Sequence, residues 1–191
     1  SRDWSSDVCS SDLLQASTGQ TINAGYIEVI GRGDSGAFIG NGATGNQVIT
    51  TNSKNAAGEG IVIKNLGSAT FTNIGNSGSG NQSITVNNAD YVRIVGQNGD
   101  ANIFFNGGSQ SVLIQGTGQN ALEIGSAGAT GISGLNPAAS QSVTVGTAGQ
   151  QGSVTITGGA TNGKGANIFT SAGTQTVVVQ DAINLIGGTA A

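Results

Sequence analysis

The chain has 191 residues and a formal net charge of −4; it contains 34 glycines but no His and no Met, and charged residues make up only 8%. So little charge is atypical of a disordered region, and the lack of a basic patch argues against a nucleic-acid partner. No apolar run is long enough for a membrane-spanning helix. Cys9 is the only cysteine, which excludes an internal disulfide and a cysteine-based zinc site.

Residues 3–13 read Asp-Trp-Ser-Ser-Asp-Val-Cys-Ser-Ser-Asp-Leu. This run resembles one reading frame of a common sequencing-library adapter, and it shares nothing with the sequence that follows. We therefore expect residues 1–14 to be adapter-derived or disordered and outside the fold, and residues 15–191 to form a repeat domain. On this interpretation the chain is an internal piece of a longer gene, and the lack of a signal peptide carries no information on localisation.

A five-residue pattern that begins with Gln recurs six times in the rest of the chain. Successive copies start 27, 35, 28, 31 and 34 residues apart, and polar and apolar positions alternate within each copy, as in a half-buried strand. Repeats of this length are typical of solenoids, in which each unit buries its apolar face against its neighbours. The copies begin at Gln20, Gln47, Gln82, Gln110, Gln141 and Gln175.

Each repeat contains two further short apolar segments. The second segment, such as residues 26–30 or 91–95, commonly ends in Gly; the third comprises residues 37–39, 70–72, 103–105, 131–133 and 167–169. The sixth repeat ends before its third segment. The pattern predicts an all-β fold, a parallel β-helix (β-solenoid) with three short strands per turn and about five and a half turns. Equivalent strands would stack at about 4.8 Å.

The recurring Gln has the same parity as the apolar positions of its strand, such as Ile49 and Val86. We therefore expect all six glutamines to turn inward at a corner and to bond to one another along the axis. This structural ladder accounts for the recurrence more simply than the alternative, a ligand site lined by glutamines.

Residues 165–177, Gly-Ala-Asn-Ile-Phe-Thr-Ser-Ala-Gly-Thr-Gln-Thr-Val, and residues 183–188, Ile-Asn-Leu-Ile-Gly-Gly, carry a family resemblance. From Leu14 to Ala191 the chain resembles the repeat region of filamentous-haemagglutinin-like exoproteins of Gram-negative bacteria, adhesins of the two-partner-secretion type. The resemblance implies a right-handed β-helix shaft, export through an outer-membrane partner, an extracellular or cell-surface location, and a role in adhesion or biofilm. Its implied partners are neighbouring repeats of the parent chain and surface glycans or proteins of a host or biofilm.

Arg32, Gly33 and Asp34 spell the tripeptide that animal integrins recognise, so this corner is a candidate adhesion site. The competing interpretation is a plain turn, in which Gly supplies the backbone angle and Asp bonds its own backbone. Aligning residues 30–34 with residues 95–100 places Gly99 and Asp100 at the same corner without the Arg, which favours the turn.

Polysaccharide lyases and hydrolases also use parallel β-helices, but they need paired carboxylates, or a calcium cluster with a basic residue. Asp34 and Asp100 are expected about 10 Å apart, and no other acid converges with them. Glu28, Arg93 and Glu123 occupy one outward column, where we expect a surface ion pair between Arg93 and Glu123. We predict no catalytic residue, no metal and no cofactor, and keep a carbohydrate-active enzyme as an alternative.

Ice-binding solenoids provide a further alternative because they carry a flat Thr-x-Thr face. Outward positions of the Gln strands are rich in Ser and Thr, but Asn23, Val48, Leu113 and Val178 interrupt them. Ser and Thr also suit any exposed strand face. The leading hypothesis is therefore a mechanical one: a rigid shaft within a large secreted or surface-attached bacterial repeat protein.

Overall fold

The computed structural model describes residues 13–42, 44–68, 71–97, 99–115, 121–125, 130–134, 140–159 and 165–188. Over these residues the chain forms 18 β-strands and no helix, and the strands form three six-stranded sheets with parallel pairing throughout. These residues therefore contain no helix with the length and apolarity needed to cross a membrane. The all-β solenoid with three strands per turn is confirmed, with five complete coils preceded by one strand and followed by two.

Each sheet takes one strand from every coil. The glutamine sheet contains β2 (Gln20–Ala24), β5 (Gln47–Thr51), β8 (Gln82–Val86), β11 (Ser109–Ile114), β14 (Ser140–Val145) and β17 (Gln175–Val179). The second sheet contains β3 (Ile27–Gly31), β6 (Glu59–Asn65), β9 (Tyr91–Gly96), β12 (Leu122–Gly125), β15 (Val154–Thr157) and β18 (Ile183–Ile186). The third sheet contains β1 (Leu13–Ala16), β4 (Phe38–Asn41), β7 (Phe71–Asn76), β10 (Asp100–Phe105), β13 (Thr130–Gly134) and β16 (Ala166–Thr170).

The core is a set of stacked aliphatic columns inside the three sheets. In the glutamine sheet Ile49 pairs with Ile84, and Ile84 pairs with Val112. In the second sheet Ile63 pairs with Ile94, which pairs with Ile124. All six side chains are buried, and burying one such side chain stabilises the fold by about 1.5–3 kcal/mol. Because the coils are in register, each apolar position covers the equivalent position of the next coil.

The six glutamines form one column at the corner where the third sheet meets the glutamine sheet. From Gln47 onward, each side-chain nitrogen donates to the side-chain oxygen of the Gln one coil earlier, at 2.6–2.9 Å, and Gln20 donates to the Leu14 carbonyl at 3.2 Å. Several also donate to the main chain of the third sheet, as Gln82 does to the Phe104 carbonyl at 3.0 Å. All are buried except Gln175 in the last coil. The ladder therefore satisfies amides that would otherwise be buried without partners.

Asparagines form shorter ladders at other corners, which the sequence analysis did not identify. Asn52 donates to Asn23 at 2.7 Å, and Asn87 donates to Asn52 at 3.1 Å. Asn41 and Asn76 are fully buried at the end of the third sheet, where the Asn76 amide reaches the Gly80 carbonyl at 2.7 Å. Amide stacking at these turns joins successive coils in the same way as the glutamine ladder.

Two strands of the third sheet differ from expectation. Of the segment expected at residues 70–72, residue 70 lies outside the described residues and Phe71 begins β7, where Asn73 rather than Phe71 pairs with Phe38. Phe71 is consequently 52% exposed, and Ile74 provides the buried side chain of this coil. Strand β1 begins at Leu13, two residues before the expected start of the domain, and pairs with β4. Residues 1–12, which hold most of the adapter-like run, lie outside the described residues.

Replacing Gln82 with Ala tests the ladder. The substitution removes the partner of Gln47 on one side and of Gln110 on the other, leaving buried polar groups without bonds. We expect a loss of about 3 kcal/mol in unfolding free energy, since each stranded group costs about 1–3 kcal/mol. Gln175→Ala is the matched comparison and should cost less, because it strands only the Gln141 oxygen at the exposed end of the column. Urea denaturation, monitored by circular dichroism, measures the unfolding free energy of both variants. Equal losses of unfolding free energy would contradict the ladder.

The last coil exposes an apolar surface that predicts association of the isolated chain. Ile183 is 53% exposed and Leu185 is 74% exposed, and the strands of this coil carry unpaired edges among the described residues. We expect light scattering to show mass that rises with concentration. Replacing both residues with Lys should suppress this rise, whereas Val48→Lys on the side of the glutamine sheet should not. A monomer at high concentration would contradict the prediction.

Candidate functional site

The densest group of charged side chains lies on the outer surface of the second sheet. Strands from four successive coils contribute to it, because their outward positions stack in register along the axis. A bulge between Glu59 and Ile61 shifts β6 relative to its neighbour and brings Glu59 into the group. We call this group the charged cluster; it consists of Glu28, Asn55, Glu59, Lys64, Arg93 and Glu123.

Arg93 is the centre of the charged cluster. Its Nη1 lies 2.9 Å from Glu59 Oε1, and its Nε lies 2.9 Å from Glu123 Oε2, so the expected pair with Glu123 is confirmed. The guanidinium also lies over the Tyr91 ring, 4.8 Å from its centroid. Burial alone would lower the pKa of Arg93, but its hydrogen bond with Glu123 and the charges of Glu123, Tyr91 and Glu59 raise that pKa above its usual value.

Glu59 is the buried member of the charged cluster, with a side chain only 3% exposed. Its second oxygen accepts a hydrogen bond from Asn55 Nδ2 at 2.8 Å, and Lys64 Nζ lies 3.6 Å from the first. The same Asn55 amide reaches Glu28 in the previous coil at 2.7 Å. Every oxygen of Glu59 is therefore engaged by a donor. The arrangement suits a clamp between coils rather than a general acid or base, which needs a carboxyl group available to a substrate.

The loop formed by residues 52–58 closes over this cluster. Asn55 Oδ1 accepts the main-chain N–H of Ala57 at 3.0 Å and of Glu59 at 2.9 Å, which fixes a tight turn. The loop leaves Val62 only 1% exposed, although Val62 occupies an outward position between Glu28 and Arg93. The sequence pointed to Arg93 and Glu123 because they occupy equivalent positions in adjacent coils. The alternation of polar and apolar residues does not reveal a loop that folds back over the sheet.

The expected equivalence of Asp34 and Asp100 is wrong. Asp100 begins β10 and pairs with Phe71, so its counterpart in the first coil lies at Gly36, two residues after Asp34. Asp34 instead accepts a hydrogen bond from the Ser68 hydroxyl at the surface. In the described ranges no three His, Cys, Asp or Glu side chains come together as a group that could hold a metal ion. Asp34 and Asp100 therefore do not hold equivalent positions in their coils.

The Arg32-Gly33-Asp34 corner is a small hairpin whose Gly33 backbone packs against Gly67 of the next coil. Arg32 and Ser35 exchange both main-chain hydrogen bonds at 3.2 Å, and Gly33 has a φ of +60°. A positive φ at the first central residue alone matches a type II′ turn, which favours Gly at that position. All four residues are exposed. The tripeptide is therefore displayed on a turn whose conformation the flanking bonds hold.

The outer surface of the glutamine sheet carries the Ser and Thr positions in two columns. Pairing is in register, so the hydroxyls form regular rows along the axis. Val48 interrupts one row, while Asn23, Leu113 and Val178 interrupt the other. Val48 and Val178 are 37% and 40% exposed. The face is regular in spacing but mixed in chemistry, and ice binding stays an untested alternative.

Comparison with known proteins gives no matching family model, no matching curated protein and no matching solved structure.

Replacing Arg93 with Met tests the clamp. The buried Glu59 carboxylate would then have only Asn55 and the more distant Lys64 as partners. We therefore expect the unfolding free energy to fall by about 2–4 kcal/mol. Lys54→Met is the control: it breaks an exposed pair with Asp90 and should cost less than about 1 kcal/mol.

Adding Glu59→Gln to Arg93→Met removes the unpaired buried charge and should recover part of the loss. Thermal melting by circular dichroism compares the three variants with the original chain. The clamp would be disproved if Arg93→Met were no more damaging than Lys54→Met.

Proposed function

We propose that this chain is a segment of a rigid shaft in a large secreted or cell-surface bacterial repeat protein that acts in adhesion or biofilm formation. The observation that supports it most directly is the in-register stacking of all coils along one glutamine ladder. A solenoid of this kind grows by adding coils while its cross-section stays the same. Such a protein spans distance, and the resemblance of its units to filamentous-haemagglutinin-like repeats agrees with that role.

The direction of the hydrogen bonds also suits a load-bearing role. Parallel strands bond to their neighbours across the coils, so these bonds run along the axis of the solenoid. Pulling the two ends apart loads the bonds of three sheets together, as well as the glutamine ladder. The clamp at Arg93 adds two ion pairs between coils, because Arg93 bonds to Glu59 in the previous coil and to Glu123 in the next.

Reading the parent gene through both ends tests the shaft proposal. We expect many further repeats with the same Gln pattern and an export signal ahead of them. A gene that ends soon after residue 191 with capping segments and an added cluster of acids would contradict the shaft and favour a carbohydrate-active enzyme.

A second candidate function is direct attachment to animal cells through Arg32, Gly33 and Asp34. The observation that favours it is the exposed hairpin, whose flanking main-chain bonds hold the tripeptide at the surface. Gly99 and Asp100 do not repeat this turn, since Asp100 occupies a different position in its coil. A short motif alone is a weak signal, so this function ranks below the shaft.

Cell attachment to a surface coated with the chain tests this second function. Arg32→Ala and Asp34→Glu should each abolish attachment of integrin-bearing cells, since both charged groups and their spacing define the motif. Gln150→Ala changes another exposed two-residue hairpin, closed by a 2.8 Å bond between Gln150 and Thr147, and should have no effect. Attachment that survives Arg32→Ala would exclude this function and leave the shaft proposal standing.

A further inference from the structure

Asparagine followed by glycine is a chemically labile pair, because glycine has no side chain to hinder attack by its main-chain nitrogen on the asparagine amide. The described residues contain two complete pairs of this kind, Asn41-Gly42 and Asn106-Gly107. Both lie at the corner between the third sheet and the glutamine sheet: Asn41 is the last residue of β4, and Asn106 directly follows β10. The same chemistry therefore occurs twice at one corner, in two different environments.

The first pair is held on both sides. Asn41 is fully buried, and its Nδ2 donates to the Gly45 carbonyl and, at 3.4 Å, to Asn76 Oδ1. The Gly42 N–H donates to the Ala16 carbonyl of the previous coil at 3.1 Å. The two groups that would have to react, the Asn41 amide and the Gly42 nitrogen, are thus bound to other partners. Reaction at this pair must wait until the coil opens locally.

The second pair is not held in this way. Asn106 is exposed, and its side-chain amide has no hydrogen-bond partner within the described part of the chain. The Gly107 N–H likewise forms no main-chain hydrogen bond to a described residue. Packing nevertheless requires glycine here, because a Cβ at Gly107 would come within 2.7 Å of the Ser79 Cα in the previous coil. The fold therefore keeps an unhindered glycine beside an exposed asparagine.

We infer that Asn106 is a site of spontaneous, time-dependent deamidation and that Asn41 is protected from it. The main-chain nitrogen of Gly107 attacks Asn106 Cγ. A new C–N bond forms, the bond from Cγ to the side-chain nitrogen breaks, and ammonia leaves with the proton that the main-chain nitrogen gives up. Water then opens the cyclic imide at either of its carbonyls, which gives Asp or isoaspartate. Water is the only co-reactant.

The product changes a corner on which the stacking of coils depends. Conversion adds a negative charge four residues before Gln110, a buried member of the glutamine ladder. Isoaspartate also adds a methylene group to the main chain, beside the 2.8 Å bond from the Asn106 N–H to the Asn76 carbonyl. This modification site goes beyond the shaft and does not depend on it.

Peptide mapping by mass spectrometry tests the inference on the full chain, aged in mildly alkaline buffer in the native state and, in parallel, in guanidinium chloride. Fragment ions report the conversion of amide to acid at each residue. In the native chain we expect Asn106 to convert at least about tenfold faster than Asn41, because only Asn41 must wait for local opening. In guanidinium chloride, where both pairs are equally exposed, we expect the two rates to become similar.

Asn106→Gln is the matched variant, because its longer side chain keeps the amide but forms the corresponding ring much less readily. We expect it to abolish conversion at residue 106 in the native chain and to leave the slow rate at Asn41 unchanged. Conversion of Asn41 as fast as that of Asn106 in the native chain would overturn the inference. Conversion of Asn106 in guanidinium chloride but not in the native chain would overturn it as well.

Discussion

A buried glutamine needs hydrogen-bond partners for both the nitrogen and the oxygen of its amide. In this protein the partners are glutamines of the neighbouring coils, and they meet only when the coils are in register. Gln82 illustrates the constraint, because its nitrogen bonds to Gln47 and its oxygen accepts from Gln110. A shift of one residue would separate these amides and turn the apolar side chains of the strand outward. Burial of stacked Ile and Val drives the association of coils, while the ladder restricts them to one alignment. Differences in coil length are absorbed at the corners, in features such as the loop of residues 52–58 and the hairpin at Arg32.

The architecture could be predicted because it follows from local patterns that repeat. Alternation identified the strands, and the recurring Gln identified the start of each coil. The third sheet was harder, since Phe71 and Asn73 have the same parity and both point outward. A displacement of two residues keeps every side chain on its own side of the sheet, so alternation cannot detect it. Pairing with Phe38 decides between the two alignments, and that information lies in the neighbouring coil.

The charged cluster was less predictable for the same reason. Arg93 and Glu123 hold equal positions in adjacent coils, and the sequence revealed them. Glu59 joins them through a bulge, and Asn55 joins through a loop that folds back over the sheet. Features that depend on contacts between coils therefore become visible only in the structure.

The central claim is that the glutamines form one continuous buried ladder. Hydrogen exchange of the side-chain amide protons, resolved by ¹⁵N NMR, measures this directly. The ladder predicts slow exchange at the four interior members, Gln47, Gln82, Gln110 and Gln141, and fast exchange at the exposed Gln175. Fast exchange at all of these side chains would show that the coils do not stack in this register, and the account of the fold and of the surfaces built on it would fail.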